Sequence, residues 1–122
     1  MAVLIVAVVG AALAVGLSGS RSATNGCKAS GTPVMHKVVI QDGKVSDDQV
    51  NGRLCDTVTF TNKDNLAREI AFGSHEHHVP YDGVAERVLG KGQSFTITLN
   101  QAGNFHWHDH LHDEVEGYFT VN

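Results

Sequence analysis

AGNFHWHDHLHDEVEGYFTVN, Ala102–Asn122, is the stretch on which the reading of the fold turns. Its first half alternates. Phe105, Trp107 and Asp109 fall on one side of an extended chain, and His106 and His108 on the other. Four histidines, His106, His108, His110 and His112, occupy every second position. The last residues, GYFTVN, alternate again, with Phe119 and Val121 inward. Two β-strands joined by a short connection account for this pattern, whereas a helical period of 3.6 does not.

Earlier segments repeat the period of two. HKVVIQ (His36–Gln41), DTVTFTN (Asp56–Asn62), AREIAFG (Ala67–Gly73) and QSFTITL (Gln93–Leu99) each place apolar residues on one face. In DTVTFTN the inward pair is Val58 and Phe60, and the threonines face out. In AREIAFG, Arg68 shares its face with Ile70 and Phe72. DGKVSDDQVNG (Asp42–Gly52) reads as a loop or a broken strand, and SHEHHVPY (Ser74–Tyr81) as a loop. Short, β-branched, aromatic-rich strands with regular turn signals predict an all-β sandwich or barrel.

The 122-residue chain is long enough for one domain, and no repeat or second domain is visible in it. A formal charge of -4 and the lack of a Lys/Arg block argue against a nucleic-acid partner. Residues 1–17, MAVLIVAVVGAALAVGL, are almost wholly apolar and predict a helix serving as an export signal or membrane anchor; a buried helix of the fold is the other reading. Residues 18–30 read as a flexible linker and 31–122 as the folded domain. The expected location is therefore extracytoplasmic, secreted or tethered to a membrane. Export permits a disulfide between Cys27 and Cys55; two free thiols are the other reading.

The C-terminal pattern resembles that of the cupredoxins, of the amicyanin and plastocyanin type. Gly103, Phe105, Trp107, Gly117, Phe119 and Val121 occupy the framework positions, and DTVTFTNKD looks like the strand before the first copper ligand. The resemblance implies a Greek-key β-sandwich. It also shows what is missing. The family's copper thiolate position holds Asp109, its axial Met position Val115, and its first His position Arg68; only the last His survives, as His112. A blue-copper site needs the thiolate. Parity instead turns Arg68 and Asp109 toward one end of the core, where a paired charge is tolerable and a lone one is not. The alternative places both in water at the strand mouth.

HEHHVPY contains H-x-x-H-x-x-Y (His75, His78, Tyr81), and HDHL supplies His108 and His110. This combination resembles a divergent, His-rich branch of cupredoxin-like domains. That resemblance implies a metal set of His75, His78, His108 and His110, with His77, His106 and His112 as secondary candidates. Independently of any family, seven imidazoles in two short segments suit a borderline divalent metal. Loose binding by a solvated tract and no metal at all are the competing readings, and alternation alone leaves open which face carries the ligands. The acidic residues Asp113, Glu114 and Glu116 read as a solvated face. No nucleophile elbow, phosphate loop or zinc-protease motif is present, so a binding protein is expected rather than an enzyme. The expected function is extracytoplasmic metal handling, with copper favoured and zinc the alternative. A redox protein with a non-blue copper site and a metal-free structural sandwich are the other hypotheses. The metal ion and the membrane are the expected partners; no motif identifies a protein partner.

Overall fold

The computed structural model describes Cys27, Lys28 and residues 31–122. The expected N-terminal helix and most of the linker lie outside these residues. Ten strands form two sheets: β1 (Met35–Gln41), β2 (Lys44–Val45), β3 (Gln49–Gly52), β4 (Thr57–Asn62), β5 (Arg68–Ser74), β6 (His77–His78), β7 (Glu86–Leu89), β8 (Ser94–Thr98), β9 (Gly103–Asp109) and β10 (His112–Val121). The first sheet runs β2-β1-β4-β8. The second runs β3-β10-β9-β5-β6, with β7 also on β5. Pairing is antiparallel except for β1 with β4 and β3 with β10. Among the described residues the domain is an all-β sandwich.

The segment 42–52 is more ordered than a loop. Asp42 and Gly43 both take positive φ, 54° and 67°, as a tight two-residue hairpin turn requires. Their N–H groups donate to the Asp64 carboxylate. β2 thus folds back on β1, and the chain then crosses to the other sheet, where β3 pairs with β10.

The core lies between the sheets and is largely aromatic. Phe60 stacks on Phe95 at 5.2 Å and meets Trp107 edge-on at 5.2 Å. Phe72 meets Phe119 edge-on at 6.1 Å. Such pairs add about 0.5–1.5 kcal/mol each beyond the area they bury. Trp107 is fully buried and fixes the parity of β9, so its neighbours His106 and His108 must face outward.

Cys27 and Cys55 form a disulfide across 28 residues of sequence, with Cα atoms 5.4 Å apart. Closing such a loop restrains the unfolded chain and typically stabilises by about 2–4 kcal/mol. Material from an oxidising compartment should therefore show no reactive thiol when denatured without reductant. The Cys27→Ala/Cys55→Ala variant should lose stability in that range, read from denaturant unfolding.

Candidate metal centre

β9 lies between β5 and β10 and carries His108 on the outer face of the second sheet. Its neighbour across the ladder is Ala71, too small to occupy the space above the sheet. An outward residue should be exposed, yet His108 is only 1% exposed. The segment 74–81 covers it. The expectation of a loop there is corrected: Gly73 pairs with His78 and Ser74 with His77, making a tight β5–β6 hairpin with His75 and Glu76 at its tip. Gly73 makes this possible. Its φ is +88°, and a Cβ would stand 2.6 Å from the His77 carbonyl oxygen and 2.7 Å from the Val79 nitrogen. Tyr81 anchors the returning strand. It is buried, its hydroxyl donates to the Gln101 carbonyl at 2.8 Å, and its ring packs on Phe105 at 4.6 Å. Burial pushes its phenol above the ordinary range.

His110 comes from the other side, in the two-residue turn between Asp109 and His112. Its N–H donates to the Glu69 carbonyl at 2.7 Å, fixing the turn against β5. Two hairpins thus bring four imidazoles together. Ring centroids lie 4.7 Å apart for His75 and His110, 4.7 Å for His78 and His110, 5.2 Å for His78 and His108, and 5.7 Å for His75 and His108. One potential ligand atom from each of His75, His108 and His110 lies within 4.8 Å of the others. His78 adjoins this trio without meeting the same distance.

The hydrogen-bonding pattern suits a metal. Nδ1 of His108 lies 3.1 Å from the Gly73 carbonyl and donates to it, leaving Nε2 with a free lone pair. Nδ1 of His75 lies 2.8 Å from Asp113, and Nδ1 of His78 lies 3.3 Å from Glu86. Carboxylates and carbonyls at one ring nitrogen select the tautomer whose other nitrogen can ligate. Nε2 of His78, Nε2 of His108 and Nδ1 of His110 are buried without a hydrogen-bond partner. Buried polar atoms left unpaired are costly; those of His108 and His110 belong to the converging trio that could share a cation, and that of His78 lies beside it. Burial, together with the neighbouring His78, His106 and His75, holds His108 below the ordinary imidazole range despite its bond to Gly73. It is therefore neutral at pH 7, the form that ligates.

The secondary candidates stand apart. His77 is exposed, and its N–H donates to Ser74 Oγ. His106 stacks on His108 at 5.6 Å, but its Nε2 is held 2.9 Å from Glu116 and its ring lies on Tyr118. His112 points the other way, with Nδ1 3.4 Å from Asp109.

Asp109 lies between His108 and His110 but faces the core, at the position where the resemblance puts a copper thiolate. It is fully buried. Arg68 Nη1 donates to its Oδ2 at 3.0 Å, and the Glu69 and Leu111 N–H groups each donate to its Oδ1 at 3.0 Å. Arg68 Nη2 donates to Asp64 at 2.7 Å. The guanidinium holds the Asp64 carboxyl below the usual range. Burial opposes the charge on Arg68, but the bonds to Asp64 and Asp109 outweigh it and raise its pKa. Val115 is buried in the core.

Sequence reasoning missed Asp64, Gly73, Glu86 and Asp113. The i,i+4 spacing of Asp64 and Arg68 was a visible signal. For Asp113 the signal was its place in an acidic run next to the histidines, since the run does more than face water. Nothing in the sequence marks Glu86, which reaches His78 from β7.

No protein-family model and no curated protein matches the sequence. Solved structures do match it. A purple cupredoxin from Nitrosopumilus maritimus aligns over 71% of this chain and 99% of its own, at 19% identity and a TM-score of 0.62. A reduced amicyanin variant aligns over 76% of this chain and 87% of its own, at 20% identity and 0.61. A copper(I) amicyanin variant gives 72%, 82%, 23% and 0.59 in the same order. With its two sheets packed around an aromatic core, this chain has the cupredoxin fold, and Arg68 pairs with Asp109 at the positions where the sequence resemblance expects copper ligands.

Proposed function

We propose that the domain holds one metal ion through His75, His78, His108 and His110 and serves in metal handling outside the cytoplasm. The observation that carries this reading is the set of buried, unpartnered ring nitrogens on His78, His108 and His110, gathered beside His75. Copper is the preferred ion because nitrogen sites follow the order that peaks at Cu(II), with zinc the alternative. Placement outside the cytoplasm, secreted or tethered by the apolar residues 1–17, is supported by that segment and by the disulfide, which oxidising compartments maintain.

The chain's own residues do three things here. Gly73, Asp113 and Glu86 orient three imidazoles. The β5–β6 hairpin excludes water from His108. The fold supplies ligands from two separate hairpins, so neither makes a site alone. A bound ion would supply positive charge to nitrogens that otherwise lack partners. No free thiol is present among the described residues to supply a thiolate, which favours holding an ion over rapid redox cycling.

Titrating the purified protein with Cu(II), followed by absorption and electron paramagnetic resonance, tests this. One equivalent should give weak d–d absorption with nitrogen hyperfine structure and no intense thiolate band. Lack of stoichiometric binding of either copper or zinc would leave a metal-free sandwich.

A further inference from the structure

The β5–β9 ladder stops at the pair Phe72–Trp107. Beyond it Gly73 turns β5 into its hairpin, while β9 continues toward Gly103. The strands part, and the returning segment 79–81 does not fill the gap. A cavity of about 250 Å³ remains. Its walls are Phe72, Val79, Pro80, Tyr81 and Phe105. Phe105 has the inward parity of Trp107, yet it is only half-buried. Gln101, Asn104 and His106 contribute polar groups to the lining.

We propose that this cavity is a binding site for a small monocyclic aromatic molecule bearing a hydroxyl group, a phenol in the simplest case. Size sets the first limit. An apolar cavity of about 150 Å³ accepts benzene, so the larger space here takes a ring with a substituent. Chemistry sets the second. Aromatic walls favour a flat π-system that can stack or meet them edge-on. The Asn104 Oδ1 accepts from Thr120 at 2.8 Å, which leaves its NH2 as a donor. Nε2 of His106 is taken by Glu116, and in the tautomer that donates there Nδ1 is an acceptor. A few donors and acceptors, from Asn104, His106 and the Gln101 amide, among apolar walls match a hydroxyl, which both gives and receives a hydrogen bond. They do not match a polyol or an anion. Val79, half exposed, stands at the mouth.

The test is a titration of the nitrogen-15-labelled full chain with phenol, kept free of metal by a chelator and followed by amide correlation spectra. Saturable shifts are expected at Gly73, Tyr81 and Phe105, with a dissociation constant on the order of 1 mM for so small a ligand. Cyclohexanol, with the hydroxyl but no π face, should bind several-fold more weakly, and glucose should not bind. Val79→Trp should fill the cavity and weaken phenol binding by about tenfold or more. Phe105→Leu, which keeps a side chain of similar bulk but removes one aromatic wall, should weaken it by roughly two- to tenfold. Shifts that never saturate or map elsewhere, or undiminished binding by both variants, would overturn the proposal. Metal is absent throughout, so failure of the metal reading would leave this result untouched, and the converse holds too.

Discussion

Asp109→Ala should cost the domain roughly 3–5 kcal/mol, the range for removing one partner of a buried ion pair. Asp109 is fully buried and accepts from the Arg68 guanidinium and from the Glu69 and Leu111 N–H groups. Alanine would leave all three donors short of a partner in a place that water does not reach. Asp64 would still pair with Arg68, but from the other end of the guanidinium. In a domain of this size the loss corresponds to a melting-temperature drop on the order of 20 °C. Replacing Arg68 and Asp109 together by well-fitting apolar residues should cost much less, because no charge is then stranded. Urea unfolding of the two variants decides it. An Asp109→Ala midpoint close to the parent's would mean that the pair is not buried in solution.

The second large effect concerns the histidines. Changing His75 and His78 together to alanine, or His108 and His110 together, should each weaken metal binding by at least about 100-fold, beyond what loss of a single outer-shell partner costs. Each double change removes one side of a site that two hairpins must complete. His36→Ala should leave binding intact, since His36 lies on β1 in the other sheet, 3.0 Å from Asp56. Binding should weaken as pH falls through about 6, because protons compete for the ligating nitrogens. The metal-free domain should soften in the same direction. His108 has its pKa lowered by folding from 6.5, so below that pH the unfolded chain takes up the proton first. Stability is then present above about 6.5 and lost as pH drops toward the folded value. Isothermal titration of copper and zinc at two pH values reads the binding. Metal at 100 times its dissociation constant should add about 2.7 kcal/mol to stability. Either double variant binding one equivalent as tightly as the parent would rule out the two-hairpin site.

Alternation in β9 and in the earlier strands made an all-β sandwich or barrel legible, and burying Trp107 fixes which way every neighbour on β9 points. The same parity sent Arg68 and Asp109 inward and His106 and His108 outward. Local pattern could not say what lies above an outward histidine. That depended on Gly73, whose turn lays residues 74–81 back over the sheet, and on Ala71, which leaves room beneath them. Both effects come from contacts between segments far apart in sequence. Hence a strand face that alternation assigns to solvent is buried at His108, and Asp113, from the run that read as a solvated acidic face, stands beside His75, while the unmarked Glu86 stands beside His78. The period of two belongs to a single strand, whereas enclosure belongs to the packing of one hairpin on another, and only the tertiary structure decides that.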